Sequence, residues 1–324
     1  MDDLKLTAVR HVAARTGVVV LLLGVAGYLL QAGDSQPTPS VSGGYRAVQL
    51  TPEWAPDEGR SYVVSYDSVV PVGSRAIQVP ILMYHYIRTP PSPRVDPLGY
   101  RLSVSPEVFQ TQMDWLSGHG YHAVNFNQVR AYFAGAAPLP SRPVVITLDD
   151  GYADLYTTAL PILEAHHFTA VAYIVSGFIN QRGYVTSDEV VELDRAGIEI
   201  GSHTVSHPDL ARMSFASAMF QVAEAKHVLE ALVAHPVLDF AYPSGRYNPD
   251  TIIALEKAGY DTAVTTAAYP LTHSLANRYT WSRVRVSGGE LLPGFITSLG
   301  LSMRTVTTTR LSLEPTPFEL QLQT

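Results

Sequence analysis

Two short segments hold most of the side chains that could do chemistry. In GSHTVSHP, His203 and His207 stand four residues apart, which on a helical turn would put both imidazoles on one face, within reach of one ion. Alone, such a pair is more often structural or solvated. In TLDDG, Asp149 and Asp150 follow directly on an apolar run, where neighbouring carboxylates repel each other unless something positive offsets them. A dication would do that. The chain has no cysteine, which excludes disulfides, thiolate nucleophiles and Cys-ligated metals, so any metal must use His and carboxylate ligands. One Asp with two His gives a facial site with open positions, suited to a divalent metal that holds a water. Zinc is the default for that ligand set, and cobalt, nickel or manganese also fit.

The elements that would position these residues are legible from Val79 onward. Short β-branched runs alternate with longer amphipathic stretches, the pattern of βα units around a parallel sheet or barrel. The expected strands are 80–84, 122–126, 144–148, 170–175, 197–201, 238–242, 261–266 and 281–286. Helix starts are marked by Ser105-Pro106, by a Thr186/Glu189 capping box and by Asn248-Pro249, the last helix ending near Gly259. Polar groups follow several strands: His85 the first, Asp149 and Asp150 the third, His203 the fifth, Tyr242 and Pro243 the sixth. In a β/α barrel those strand ends form one rim, so the dispersed residues could converge. His85 reads as a pocket-lining residue or as a structural hydrogen-bonding one. His166 and His167 read as helix C-terminal residues, and Met113 and Trp115 as core.

The chain has 324 residues and a formal net charge of −7, with 46% apolar residues. The length fits two domains or a single α/β barrel with appendages, and the acidic balance argues against binding a nucleic-acid backbone. Lys5, Arg10 and Arg15 precede an apolar run from Gly17 to Leu30, which reads as an export signal or a membrane anchor. Leu30-Gln31-Ala32 offers only one of the small residues that cleavage prefers, which favours an uncleaved anchor. Residues 33–44 have the Gly, Ser and Pro content of a tether. The expected layout is therefore a signal or anchor at 1–33, a linker and N-terminal extension at 34–78 with a strand or two in 45–78, a catalytic domain at 79–300 and a tail at 301–324.

These motifs resemble the polysaccharide deacetylase family, the NodB-homology domain of carbohydrate esterase family four. TLDDG (147–151) is similar to the family's TFDDG, HTVSH (203–207) fits its H-[ST]-x-x-H, FAYPSG (240–245) resembles its third motif, and PILMYH (80–85) resembles its opening strand. The resemblance spans roughly Val79 to Gly300. It implies an α/β fold, a distorted (β/α) barrel, and metal-dependent removal of acetyl groups from glycans. Carried onto this chain, it makes Asp149 the general base, Asp150, His203 and His207 the metal ligands, and the Tyr242 backbone N–H an oxyanion donor.

Two positions depart from the family pattern. Where many members carry an Arg oriented on the base, this chain has Asp239; Arg283 or Arg285 in WSRVRV could pair with Asp239 and supply the positive charge. The family's general acid, a His in a late Leu-x-His motif, is matched locally only by His273, which precedes the WSRVRV strand instead of following it. Failing His273, Asp149 or solvent would protonate the leaving amine. The resulting expectation is an exported, metal-dependent deacetylase of an N-acetylated polysaccharide such as peptidoglycan, chitin-like chains or poly-N-acetylglucosamine. The alternatives are an O-acetyl esterase with the same site and a non-catalytic glycan-binding protein of the same fold.

Overall fold

The structure is a computed structural model and describes residues 60–65, 76–300 and 302–307. The export segment and tether expected within 1–44 lie outside the described residues. No helix among the described residues is long and apolar enough to cross a membrane.

In chain order the strands are β1 (Arg60–Ser65), β2 (Ala76–Gln78), β3 (Ile81–Tyr84), β4 (Tyr86–Ile87), β5 (Ser103–Val104), β6 (His122–Ala123), β7 (Pro143–Asp150), β8 (Val171–Ile174), β9 (Glu199–Ser202), β10 (Asp239–Ala241), β11 (Thr262–Val264), β12 (Thr272–Ser274), β13 (Val284–Arg285) and β14 (Ser302–Thr307). The helices are α1 (Pro97–Leu102), α2 (Pro106–Gly118), α3 (Phe126–Phe133), α4 (Leu160–Ala165), α5 (Ser187–Arg195), α6 (Phe215–Val233), α7 (Pro249–Ala258) and α8 (Leu292–Ser298). One parallel sheet carries the fold, in the order β11-β10-β9-β8-β7-β3-β13, with β6 pairing to β7. Its central strands are buried along their whole length, as expected when both faces are covered.

The sheet curls into a distorted barrel. Its two edges are drawn together by one segment: Trp281 bridges Val264 next to β11, while Val284 and Arg285, a few residues on, pair with Leu82 and Met83 of β3. Alternation along the strands separates two cores. Ile81, Val145, Val171, Tyr173, Ala241, Val264 and Trp281 fill the interior with Phe126 and Val129 of α3. Leu82, Ile146, Leu148, Ala172 and Ile174 face outward to the helices, where Met113 and Trp115 are buried as expected. Thr147 and Asp149 share the inward face with Val145, so β7 aims Asp149 into the top of the barrel.

Three sequence expectations change. The run 122–126 pairs only at 122–123, because Asn125 caps α3 in a reciprocal capping box with Gln128 and draws Phe126 into the helix. WSRVRV contributes one bridge and a two-residue strand instead of a continuous one. The His203–His207 segment is a turn and not a helical turn, with Thr204 at φ 70° and His207 at φ 55°. The cap signals at Ser105, Thr186 and Asn248 all function, and Gly259 ends α7 in the left-handed conformation. The strands expected within 45–78 are β1 and β2: β1 pairs antiparallel with β14, and β2 with β12.

Candidate active site

The chain reverses immediately after β7. Asp150 at φ 76° and Gly151 at φ 74° are both left-handed, a conformation that costs a non-glycine residue about 1 kcal/mol or more and persists only where the surroundings enforce it. The reversal separates the two neighbouring carboxylates: Asp149 turns into the barrel and Asp150 towards the histidines.

Asp149 is 3% exposed and meets Arg283, which is fully buried, in a fork: Nη1 donates to Oδ1 at 2.6 Å and Nη2 to Oδ2 at 2.7 Å. The guanidinium is fixed in turn, with Nε donating to the Thr265 carbonyl and Nη1 also to Thr147 Oγ1, both at 3.0 Å. Burial alone would push the Asp149 carboxyl up, but the Arg283 charge and its hydrogen bonds outweigh that and hold it well below the usual carboxylate range. The base position is therefore ionised at any working pH.

Asp150 Oδ1 lies 3.5 Å from His203 Nε2 and 3.6 Å from His207 Nε2, and the three ligand atoms sit within 4.8 Å of one another. His203 Nδ1 lies 2.7 Å from the Ala241 carbonyl. A carbonyl can only accept, so Nδ1 carries the proton and the Nε2 lone pair faces the cluster. The His207 turn is held by α6: Gln221 Oε1 accepts the N–H groups of Val205 and Ser206, each at 3.1 Å. Thr204 Oγ1 accepts the His207 N–H at 2.9 Å.

These residues fit a divalent cation. Asp150 Oδ1 is buried without any hydrogen-bond partner, a costly state for a carboxylate oxygen unless it ligates something. Bonds of about 2.0–2.1 Å in a tetrahedral site put neighbouring ligand atoms roughly 3.3 Å apart. The observed separations approach that spacing.

A cavity of about 470 Å³ opens over this cluster. His85 at the end of β3 lines it, with Nε2 3.9 Å from Asp149 Oδ2, beyond hydrogen-bond reach, and with Nδ1 unpartnered. Of its two readings, the structure supports lining over a structural hydrogen bond. Burial lowers its pKa to about 4, so the imidazole is neutral at neutral pH. One wall is aromatic: Tyr152 stacks on Tyr86 with ring centroids 3.5 Å apart and on Tyr184 at 5.2 Å, and Phe178 adjoins Tyr184.

Several expected roles are corrected by position. Asp239 pairs with neither Arg283 nor Arg285. It lies under the barrel, where Arg130 Nη1 of α3 donates to it at 2.5 Å and Nη2 to Glu199 at 2.7 Å, with Thr262 Oγ1 also donating to Asp239. Arg283 instead grips Asp149 directly, from the residue just before β13. His273 is no general acid: it is buried in β12, its Nε2 3.0 Å from the Val79 carbonyl, and it does not line the cavity. The Tyr242 N–H is committed to the Val264 carbonyl at 3.2 Å, a ladder bond that removes it as an oxyanion donor, and the ring packs between Phe240 and Tyr247. His166 caps α4, its Nε2 3.0 Å from Asp114.

Sequence reasoning missed Arg130, the stacked tyrosines and Arg101 of α1, which reaches the cavity rim. Tyr152 could have been noticed, since it follows TLDDG directly. Arg130 and Arg101 carry no local signal.

Comparison with known proteins agrees with this geometry. A model of the polysaccharide deacetylase family matches residues 136–263. YxkH of Bacillus subtilis strain 168, which bears the name of a polysaccharide deacetylase, is 30% identical over 212 residues, 65% of this chain and 72% of its own. The chain belongs to the polysaccharide deacetylase family. The poly-beta-1,6-N-acetyl-D-glucosamine N-deacetylase of Escherichia coli K12 is 32% identical over 119 residues, which cover 32% of this chain and 18% of that protein. Among solved structures, the Streptococcus pyogenes deacetylase PplD in complex with acetate superposes with a TM-score of 0.63 at 26% identity, covering 69% of this chain and 98% of that one. Within that family, this chain sets Arg283, the residue just before β13, on Asp149.

Proposed function

We propose that the protein is an exported, metal-dependent hydrolase that removes N-acetyl groups from a cell-wall or extracellular polysaccharide. The observation that carries this reading is the division of labour between two adjacent carboxylates: Asp149 saturated by Arg283, Asp150 Oδ1 left bare beside two imidazoles. Export is supported by the N-terminal charge and apolar pattern.

Asp150, His203 and His207 would hold the cation, zinc by ligand type. A bound dication supplies Lewis acidity to an acetyl carbonyl and acidifies water near neutral pH. Asp149 takes the proton from the attacking water; its low basicity suffices because it is ionised, immobile and aimed from the cavity floor. Arg283 fixes both carboxylate oxygens and so sets the direction of that transfer. With His273 elsewhere, the proton held by Asp149 returns to the leaving nitrogen, which departs as an amine while acetate is released. The tyrosine wall offers flat apolar surface on which a sugar ring can rest.

The test is acetate release from N-acetylated glycans by the purified protein, before and after chelation and after zinc is restored. Release that survives complete removal of metal would refute the metal-dependent reading, and release from O-acetylated but not N-acetylated glycans would assign an esterase.

A further inference from the structure

The cavity rim carries cations that the reaction does not use. Arg285, in β13, lies two residues beyond Arg283 and lines the cavity rim, while Arg283 stays fully buried beneath it. Arg101, in the last turn of α1, lines the same cavity. Among the described residues neither guanidinium has a salt bridge or side-chain hydrogen bond, although Asp149, Asp150 and Arg283 all act electrostatically on Arg285.

Their proximity is built into the backbone. The segment after β13 runs against α1, with the Gly288 N–H donating to the Arg101 carbonyl, and a Cβ at Gly288 would come within 2.0 Å of the Tyr100 carbonyl oxygen. Only glycine allows that approach, and the approach brings Arg285 and Arg101 to one rim, close enough that the Arg101 charge acts against that of Arg285. Holding like charges together without a partner costs free energy that an anion would return.

Charge counting agrees. The charged side chains on the cavity wall are Asp149, Asp150, Arg101 and Arg285, with Arg283 directly beneath. Arginines outnumber carboxylates by one before any cation is added, and a dication makes the site strongly positive in a chain whose net charge is −7. A neutral N-acetylglucosamine polymer offers such a rim hydrogen-bond acceptors but no charge.

The geometry points to an anionic polysaccharide as substrate, one bearing a carboxylate or phosphodiester close to the acetamido sugar, with Arg285 and Arg101 binding that group while the acetamido lies over Asp149 and Asp150. This deepens the proposed function and rests on it.

The test uses the zinc-loaded full-length protein and three size-matched N-acetylated oligosaccharides: a neutral N-acetylglucosamine oligomer, one whose alternate sugars carry lactyl ether carboxylates, and one bearing phosphodiesters. Two partly exposed charge contacts are together worth about tenfold. We expect kcat/KM for an anionic oligomer to exceed that for the neutral one by about that factor, with the advantage shrinking as salt rises. In R285Q and R101Q the advantage should fall through a higher KM with kcat retained, and R285K should recover part of it. The carboxylate and phosphodiester arms separate the two sources of charge. Equal kcat/KM for neutral and anionic oligomers, or an advantage untouched by either substitution, overturns the proposal. Equilibrium binding of the same oligosaccharides to D149N is measured in parallel. If no oligosaccharide releases acetate, the function fails, and equal affinities there overturn the anion preference independently.

Discussion

Arg283 and Asp149, 134 residues apart in sequence, meet through two parallel hydrogen bonds inside the barrel. A buried pair of this kind is costly to break, because removing one partner strands the other charge, at about 3–5 kcal/mol. Without Arg283, the burial that raises the Asp149 carboxyl pKa loses its main counterweight. R283A is therefore expected to move the acidic limb of the rate profile to higher pH while leaving metal content intact; R283K keeps the charge but loses the fork and should fall between. Rate against pH together with metal analysis decides it, and an unshifted limb in R283A would show that Arg283 does not tune the base.

The same pair predicts an acid-stability signature. Because the folded pKa of Asp149 lies below its ordinary value of 3.8, its contribution is complete above about pH 4 and is lost as pH falls further. Urea unfolding midpoints of wild type should drop below that pH more steeply than those of D149N. Parallel curves would rule out this account.

Metal content and turnover should separate the two carboxylates. Under the proposed function H203A, H207A and D150N would each remove a ligand and are expected to lose metal, with affinity falling by more than about 100-fold. D149N should retain metal and lose turnover by about 10²–10⁴. If D149N emptied the site while D150N stayed loaded, the two assignments would have to be exchanged.

What the sequence disclosed depended on locality. Strand ends, caps and the two candidate metal motifs are written in consecutive residues, so 144–148, the Thr186 capping box and the His203/His207 pair could be read directly. What escaped lies across the barrel. Asp239 looked like a misplaced charge beside the base because its true partner, Arg130, stands 109 residues away on a helix that plugs the opposite end. His273 matched a short pattern, yet β12 turns it to the Val79 carbonyl. Tyr242 sat in the right motif, but its N–H belongs to the sheet.

His273 offers a clean contrast. H273N is expected to lower stability by about 1–3 kcal/mol through the buried Val79 carbonyl while kcat stays near wild type. A collapse of kcat in a folded H273N, seen by circular dichroism and acetate release together, would restore it as an acid.

The plug beneath the barrel has its own pH dependence. Burial, then the neighbouring Asp239, raises the Glu199 carboxyl well above its usual value, so the folded state binds a proton more tightly than the unfolded chain and stability declines as pH rises from about 4.5 towards the folded value. E199Q should flatten that decline above about pH 4.5, read from denaturant midpoints. A decline of undiminished slope in E199Q would place its origin elsewhere.

The seam of the barrel links assembly to competence. Trp281 and β13 hold the two sheet edges together, and between them lies the arginine that arms the base. A chain still emerging from synthesis, or cut short before residue 281, can contain every candidate metal ligand and Asp149 itself, yet lack the charge that keeps that carboxylate ionised in a buried site. Under the proposed function, hydrolytic competence thus arrives only when the barrel closes at β13, and an unfinished copy stays silent towards any acetylated sugar.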